Sequence, residues 1–162
     1  MEIRKGKLTD IDAIMEVYAT ARQYMAENGN PTQWADGYPH RELILEDIEK
    51  VNCHVITDSG SVCGVFAFIF GKDPTYDIIE KGAWKSNNPY ATIHRIASDG
   101  KTKGILKNAV EYCISQSSEL RIDTHHDNKK MQYLVTKHGF ERCGIIFLEN
   151  GDPRIAYQYT NK

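Results

Sequence analysis

Ile93-His94-Arg95-Ile96-Ala97-Ser98-Asp99-Gly100-Lys101-Thr102-Lys103-Gly104-Ile105 is the stretch on which the fold turns. Apolar and β-branched residues lead into a small polar turn rich in lysine. Gly104 then opens a run with helical spacing: Ile105, Leu106, Ala109, Val110, Cys113 and Ile114. A strand therefore feeds directly into a helix. The first N–H groups of a helix have no internal partner, and with the helix dipole they form an anion site. Gly104 would let a phosphate approach the main chain, and Lys101, Lys103 and Lys107 add positive charge. The P-loop pattern GxxxxGK[ST] is absent, and a Gly/Lys turn before a helix is also an ordinary β–α connection with solvated lysines.

Outward from this segment, a strand over 90–98, the helix from Gly104 and a strand over 120–124 form a βαβ crossover, which makes the two strands parallel. Downstream, residues 128–138 have helical spacing with Met131, Leu134 and Val135 inward, and Gly139 ends that helix. Strands over 140–148 and 155–160 meet across Asn150-Gly151, a hairpin signal. Upstream, strands over 53–57 and 62–70 flank an Asp-Ser-Gly-Ser turn, and 71–89 is irregular, broken by Pro74, Gly82 and Pro89. Before them come a short strand over 2–5 and a helix opened by a capping-box pattern at Thr9 and Asp12, with Asn28-Gly29 closing it. After a loop over 30–38, a second helix starting at His40 places Leu43, Ile44, Ile48 and Val51 on one face. The expectation is a mixed α/β (α+β) architecture: one domain over 1–162, with a central mixed sheet flanked by helices.

Composition narrows the function. A chain of 162 residues with 41% apolar and 26% charged residues suits a single globular domain. A formal net charge of −2 supplies no global field toward nucleic acid or an anionic membrane. The longest apolar run, 62–70, is too short to cross a bilayer, and Met1 to Asp10 has no secretory core. Cys53, Cys63, Cys113 and Cys143 are far apart, with no zinc spacing, and read as reduced core residues of a cytoplasmic protein.

In two segments the whole chain resembles the GNAT superfamily of N-acetyltransferases. The family's phosphate loop, Gln/Arg-x-x-Gly-x-Gly/Ala, is matched by Lys101-Thr102-Lys103-Gly104-Ile105-Leu106. Its following strand, asparagine and helix ending in Lys-x-Gly-Phe are matched by Arg121 to His125, Asn128 and Lys137-His138-Gly139-Phe140. The resemblance implies a splayed pair of central parallel strands, acetyl-coenzyme A as cosubstrate, no metal, and direct attack by an acceptor amine. Ile96, Ala97 and Ser98 would pair with the pantetheine arm, and N–H groups from Thr102 to Leu106, including Lys103, Gly104 and Ile105, would hold the pyrophosphate beside Lys101. Asn128 would contact the pantetheine region, and an N–H near Ala97 would bind the oxyanion. The acceptor would be a small-molecule amine or a peptide, and many relatives are homodimers.

The chain departs from the pattern where many members place a tyrosine seven residues after the asparagine. That position is Val135, and Tyr133 should point away from the site. His94 lies two residues before Ile96 and so shares its strand face, and it is read as a base beside the thioester or as a hydrogen-bonded structural histidine. His125 and Asp123 share a face on the neighbouring strand, with His125 the second candidate base. The adjacent His125 and His126 should point oppositely on an extended chain, which argues against a metal. Trp34 and Tyr38 would border the acceptor pocket or anchor their loop. Glu42, Glu46, Asp47 and Glu49 form an acidic run that could attract a cationic amine but reads more simply as a solvated face. The competing function is a catalytically weak acyl-coenzyme A-binding or sensor domain, and a nucleic-acid-binding domain is disfavoured by charge.

Overall fold

The computed structural model describes residues 1–161. Thirteen elements were resolved, and seven strands form one sheet: β1 (Glu2–Lys5), β2 (Cys53–Asp58), β3 (Ser61–Phe70), β4 (Ala91–Ser98), β5 (Glu119–Thr124), β6 (Glu141–Phe147) and β7 (Pro153–Thr160). Their spatial order is β1-β2-β3-β4-β5-β7-β6. Only β4 and β5 run parallel, as the crossover through α3 (Ile105–Gln116) requires. Their ladder is short: Ala91 pairs with Leu120 and Thr92 with Arg121. Beyond Thr92 the two strands part, and that gap positions the site.

Each sheet face is covered differently. On one side α3 and α4 (Lys129–Lys137) pack on a core that includes Ile56, Phe66, Phe68, Ile93, Ile122, Val135 and Tyr157. On the other, α1 (Ile11–Glu27) and α2 (Arg41–Glu49) cover β1 to β4 through Ile14, Tyr18, Ile44, Val55, Val65 and Ala97. The irregular segment over 71–89 covers the remainder of that face, with Tyr76 and Tyr90 packed on Ile146 and Ala156. Gly82 and Gly144 allow this segment to lie against β6: a Cβ on Gly82 would collide with the Cys143 carbonyl, and one on Gly144 would lie 2.5 Å from the Glu80 carbonyl oxygen.

Three local expectations change. Thr9 and Asp12 form no capping box for α1: a 3₁₀ turn, Leu8–Asp10, leads into it, and the Asp10 carboxylate holds that turn by taking the Lys7 N–H at 2.8 Å and a two-pronged ion pair from Arg4. Val51 lies beyond the end of α2 with positive φ and is exposed, so it leaves the apolar face. Asp47 is buried rather than solvated, because it points from α2 onto the sheet and grips Arg95 of β4.

Candidate active site

The phosphate-loop segment folds as a tight Asx turn. Asp99 accepts hydrogen bonds from the N–H groups of Lys101 (2.9 Å) and Thr102 (2.8 Å) and from the Thr102 hydroxyl (3.0 Å). The Thr102 N–H, expected to serve phosphate, is therefore committed to Asp99. Gly104 caps α3 with φ of 80°, in the left-handed region that favours glycine. The helix's first carbonyl-bound amide is Asn108, which donates to Gly104. The open donors are thus those of Lys103 through Lys107.

This turn forms one end of a groove of about 790 Å³ running between α1, α3 and α4. Every residue expected to hold the cofactor lines it: Ile96, Ala97, Ser98, Lys101, Thr102, Lys103, Gly104, Ile105, Leu106 and Asn128. Lys107, Lys129, Lys130 and Lys137 add positive charge along its rim. Such a groove suits a polyanion with an apolar arm. Asn30 on its wall keeps a buried Oδ1 without a hydrogen-bond partner, an acceptor that a ligand N–H would satisfy. Asn128 is more than a contact residue. Its Oδ1 caps α4 through the Met131 N–H (3.0 Å), and its Nδ2 donates to Gln33 (2.9 Å).

A second cavity, of about 890 Å³, opens on the opposite sheet face, beneath the α1–α2 loop and the segment after β3. It contains Trp34, Tyr38, Asp73, His94, Arg95, Asp123 and Arg154. Trp34 is buried edge-on against Tyr18, so it is a loop anchor as well as a cavity wall. The two cavities meet at the β4–β5 gap, where Met25, Ile96, Asn128 and Met131 line both.

A bulge in β4 arranges that junction. Val65 pairs with Ala97 but Ala67 pairs with His94, so Phe66 faces two residues, Arg95 and Ile96. Arg95 takes φ of 53°, unusual for a residue with a side chain. Two contacts hold it there. Tyr18 Oη donates to the Arg95 carbonyl at 2.8 Å, and the Arg95 guanidinium grips Asp47 at 2.8 and 3.0 Å. The bulge breaks alternation, so the expected shared face of His94 and Ile96 does not form. Ile96 packs with the α3–α4 core, whereas His94 follows Ala67 to the other face. Asp99 N–H bonds the Cys63 carbonyl, so by backbone alternation Ala97 N–H faces β3. By the same alternation the Ser98 N–H points away from β3, toward the gap, and Ile96, the second residue of the bulge, lies at the junction of the cavities.

His94 Nε2 lies 2.8 Å from Asp73 Oδ2. Burial alone would raise the Asp73 carboxyl, but hydrogen bonds from His94 and from the Thr75 hydroxyl and N–H outweigh it and bring it down to about 2. Asp73 is therefore a carboxylate that accepts Nε2–H, which leaves Nδ1 as the lone-pair nitrogen of the neutral ring. Beside this dyad, Tyr76 Oη donates to Asp123 at 2.6 Å.

His125, the second expected base, lines neither cavity. The chain has left β5 there, and both ring nitrogens are engaged: Nδ1 accepts the Asp127 N–H at 3.0 Å, and Nε2 sits 3.1 Å from Thr32 Oγ1. It clamps the α1–α2 loop to the β5–α4 turn. Because the backbone turns rather than extends, His125 and His126 stack at 4.2 Å instead of pointing apart. Val135 is buried in the α3–α4 core, and Tyr133 is exposed.

A GNAT-family acetyltransferase from Streptococcus agalactiae is 33% identical, over 99% of this chain and 95% of its own, with a TM-score of 0.91. The chain belongs to the GNAT family of acetyltransferases. It is an acetyltransferase, and among its described residues the sheet is mixed, with one parallel strand pair. A protein from Staphylococcus aureus described as a candidate acetyltransferase is 25% identical across the full length of both chains, with a TM-score of 0.74. A GNAT-family protein from Listeria monocytogenes, 20% identical over 98% of this chain and 94% of its own at a TM-score of 0.71, shares the fold. No family model and no curated protein matches this acetyltransferase. Among its described residues no helix is long and apolar enough to cross a membrane.

Proposed function

We propose that this acetyltransferase moves the acetyl group of acetyl-coenzyme A directly to the amine of a small molecule, without a covalent enzyme intermediate. The observation that carries this reading is the junction of the two cavities at Met25, Ile96, Asn128 and Met131. A groove suited to a polyanionic thioester and a separate polar cavity share one wall, so two substrates can meet across the β4–β5 gap. The second cavity, of about 890 Å³, is of a size that suits a small acceptor.

In this reading the open N–H groups of Lys103 to Lys107 and the surrounding lysines bind the pyrophosphate. The N–H of Ile96, at the junction, donates to the carbonyl oxygen as charge develops on it. The acceptor must lose a proton to become a nucleophile, and His94 Nδ1 takes it, directly or through one water. Asp73 holds the ring by Nε2, fixes the tautomer and faces the imidazolium that results. The amine nitrogen then forms the C–N bond as the C–S bond breaks. Thiolate protonation falls to water, since neither Tyr133 nor Val135 lines a cavity. Four buried free thiols suit a reducing compartment such as the cytoplasm.

Calorimetry with acetyl-coenzyme A, followed by thiol release over an amine panel, tests this reading. Binding with an upward shift of Tm, then amine-dependent thiol release, is expected. No heat and no shift at millimolar ligand would remove the cosubstrate assignment.

A further inference from the structure

Arg121 and Arg154 are the fully buried arginines among the described residues, and they are treated differently. Arg121 is sandwiched between the rings of Trp84 and Tyr90, each 3.9 Å from its guanidinium carbon, and donates to the Ser86 carbonyl. Arg95, at the bulge, has Asp47. Arg154 is 6% exposed and lines the second cavity. Its guanidinium donates only to two backbone carbonyls, Pro153 at 2.9 Å and Gln33 at 3.5 Å. Among the described residues it forms no ion pair and stacks on no ring. A guanidinium taken out of water without an anion is costly, and such a group persists where a ligand supplies the missing charge.

The surroundings say what kind of ligand. Asp123 pairs with Ala156, and Arg154 stands two residues along the same strand, so the two side chains share one sheet face as diagonal neighbours. They are nevertheless not joined: Asp123 takes the Tyr76 hydroxyl. The cavity therefore presents a carboxylate and the His94–Asp73 dyad toward the β4 side and, toward β7, a guanidinium that Asp123 and Asp152 attract at longer range without bonding it. That is the complement of a zwitterion, with its ammonium at His94 and Asp123 and its anion on Arg154. Glu149 and Asp152 also line the cavity, and their charge disfavours a dianion there.

We propose that Arg154 anchors a carboxylate on the acceptor, so that the substrate class is small amines that also carry a carboxylate. This rests on the second cavity being the acceptor site. A bidentate, charge-assisted contact of this kind fixes the far end of the acceptor and aims its nitrogen at the junction.

The test uses three matched compound sets: α- and ω-amino carboxylic acids, the same amines lacking the carboxylate, and their aminoalkylphosphonate analogues. Thermal shift with coenzyme A present and acetylation kinetics are read for wild type, Arg154→Gln and Arg154→Lys. Acids should bind and react with KM at least tenfold below their decarboxylated partners. In Arg154→Gln that preference should collapse, Arg154→Lys should retain part of it, and affinity for acetyl-coenzyme A should stay. The ligand-free Tm of Arg154→Gln should be unchanged or higher, because a buried charge whose desolvation outweighs the pull of Asp123 and Asp152 has been removed. Equal use of acids and plain amines, a preference for phosphonates, or a lowered Tm with the preference intact would overturn the assignment. If acetyl-coenzyme A binds but no compound of any set does, a small-molecule carboxylate acceptor is excluded. If acetyl-coenzyme A itself fails to bind, it is the acetyl-transfer reading that falls.

Discussion

His94 and Asp73 form a dyad across the second cavity, with Nε2 and Oδ2 2.8 Å apart and each side chain about one-fifth exposed. Asp73 is fixed in turn by the Thr75 hydroxyl at 2.7 Å and the Thr75 N–H at 2.9 Å, so the carboxylate cannot follow the ring if it moves. The arrangement resembles an oriented base more than a lone histidine on a strand.

His94→Ala is expected to keep acetyl-coenzyme A affinity while lowering turnover about a hundredfold near neutral pH. The deficit should shrink as pH rises, because free amine becomes abundant and needs no base. Asp73→Asn should give a smaller loss, with the ring free to adopt the wrong tautomer. A pH–rate profile alongside Tm decides the matter: a structural histidine would lower stability without rescue at high pH.

Much of the frame around the groove was legible in the sequence because its signals are local. The β4–α3 turn, the opening of α4 at Asn128 and the Gly139 stop each lie within a few residues of the chain. What escaped depends on long-range partners. Nothing near Asp47 announces that Arg95, 48 residues on, will bury it. The positive φ of Arg95 has no glycine to signal it, so alternation placed His94 on the wrong face. Asp73 did carry a signal, since Asp-Pro-Thr is an N-cap followed by a helix-opening proline, and the structure has that short turn. Arg154 was invisible because one arginine in a strand reads as an edge charge until its neighbours are known.

Gly104→Ala should weaken acetyl-coenzyme A binding at least tenfold. The residue sits at φ of 80°, where a Cβ costs about 1 kcal/mol of stability, and the added methyl would lie 3.4 Å from Asn108 Nδ2, beside the open N–H groups. The domain should remain folded. Calorimetry on the folded variant checks this, and unchanged affinity would place the phosphate elsewhere.

Asp47→Ala removes the carboxylate that holds Arg95. The pair is nearly buried, at 6% and 12% side-chain exposure, so the stranded guanidinium should cost about 3 kcal/mol in denaturant unfolding. The bulge at the junction of the two cavities loses one of its two restraints, and turnover should fall with it. A variant that is destabilised yet fully active would show that the Tyr18 hydroxyl alone holds the bulge.

His54 gives the protein an acid-sensitive point remote from both cavities. It is stacked on Phe66 with ring centroids 5.2 Å apart and packed beside Phe68 and Tyr112. Nδ1–H donates to the Asn52 carbonyl at 2.9 Å, while Nε2 is buried with no partner. Burial disfavours the charged ring and, with a small contribution from Lys5 and against the Asn52 hydrogen bond, lowers its pKa from 6.5 to about 4. The folded value lies below the unfolded one, so between pH 6.5 and pH 4 the unfolded chain binds more protons. Stability is then greatest above pH 6.5 and is lost as pH falls through that window, by on the order of 2 kcal/mol after allowance for solvent screening. His125 is lowered in the same direction, chiefly by burial, but contributes equally to any variant at position 54. His54→Phe should therefore be nearly neutral at pH 7, trading one hydrogen bond for an aromatic ring in an aromatic box. At pH 5 it should be more stable than wild type. Urea unfolding at both pH values measures the difference directly, and parallel losses in the two proteins would show that the acid sensitivity lies elsewhere.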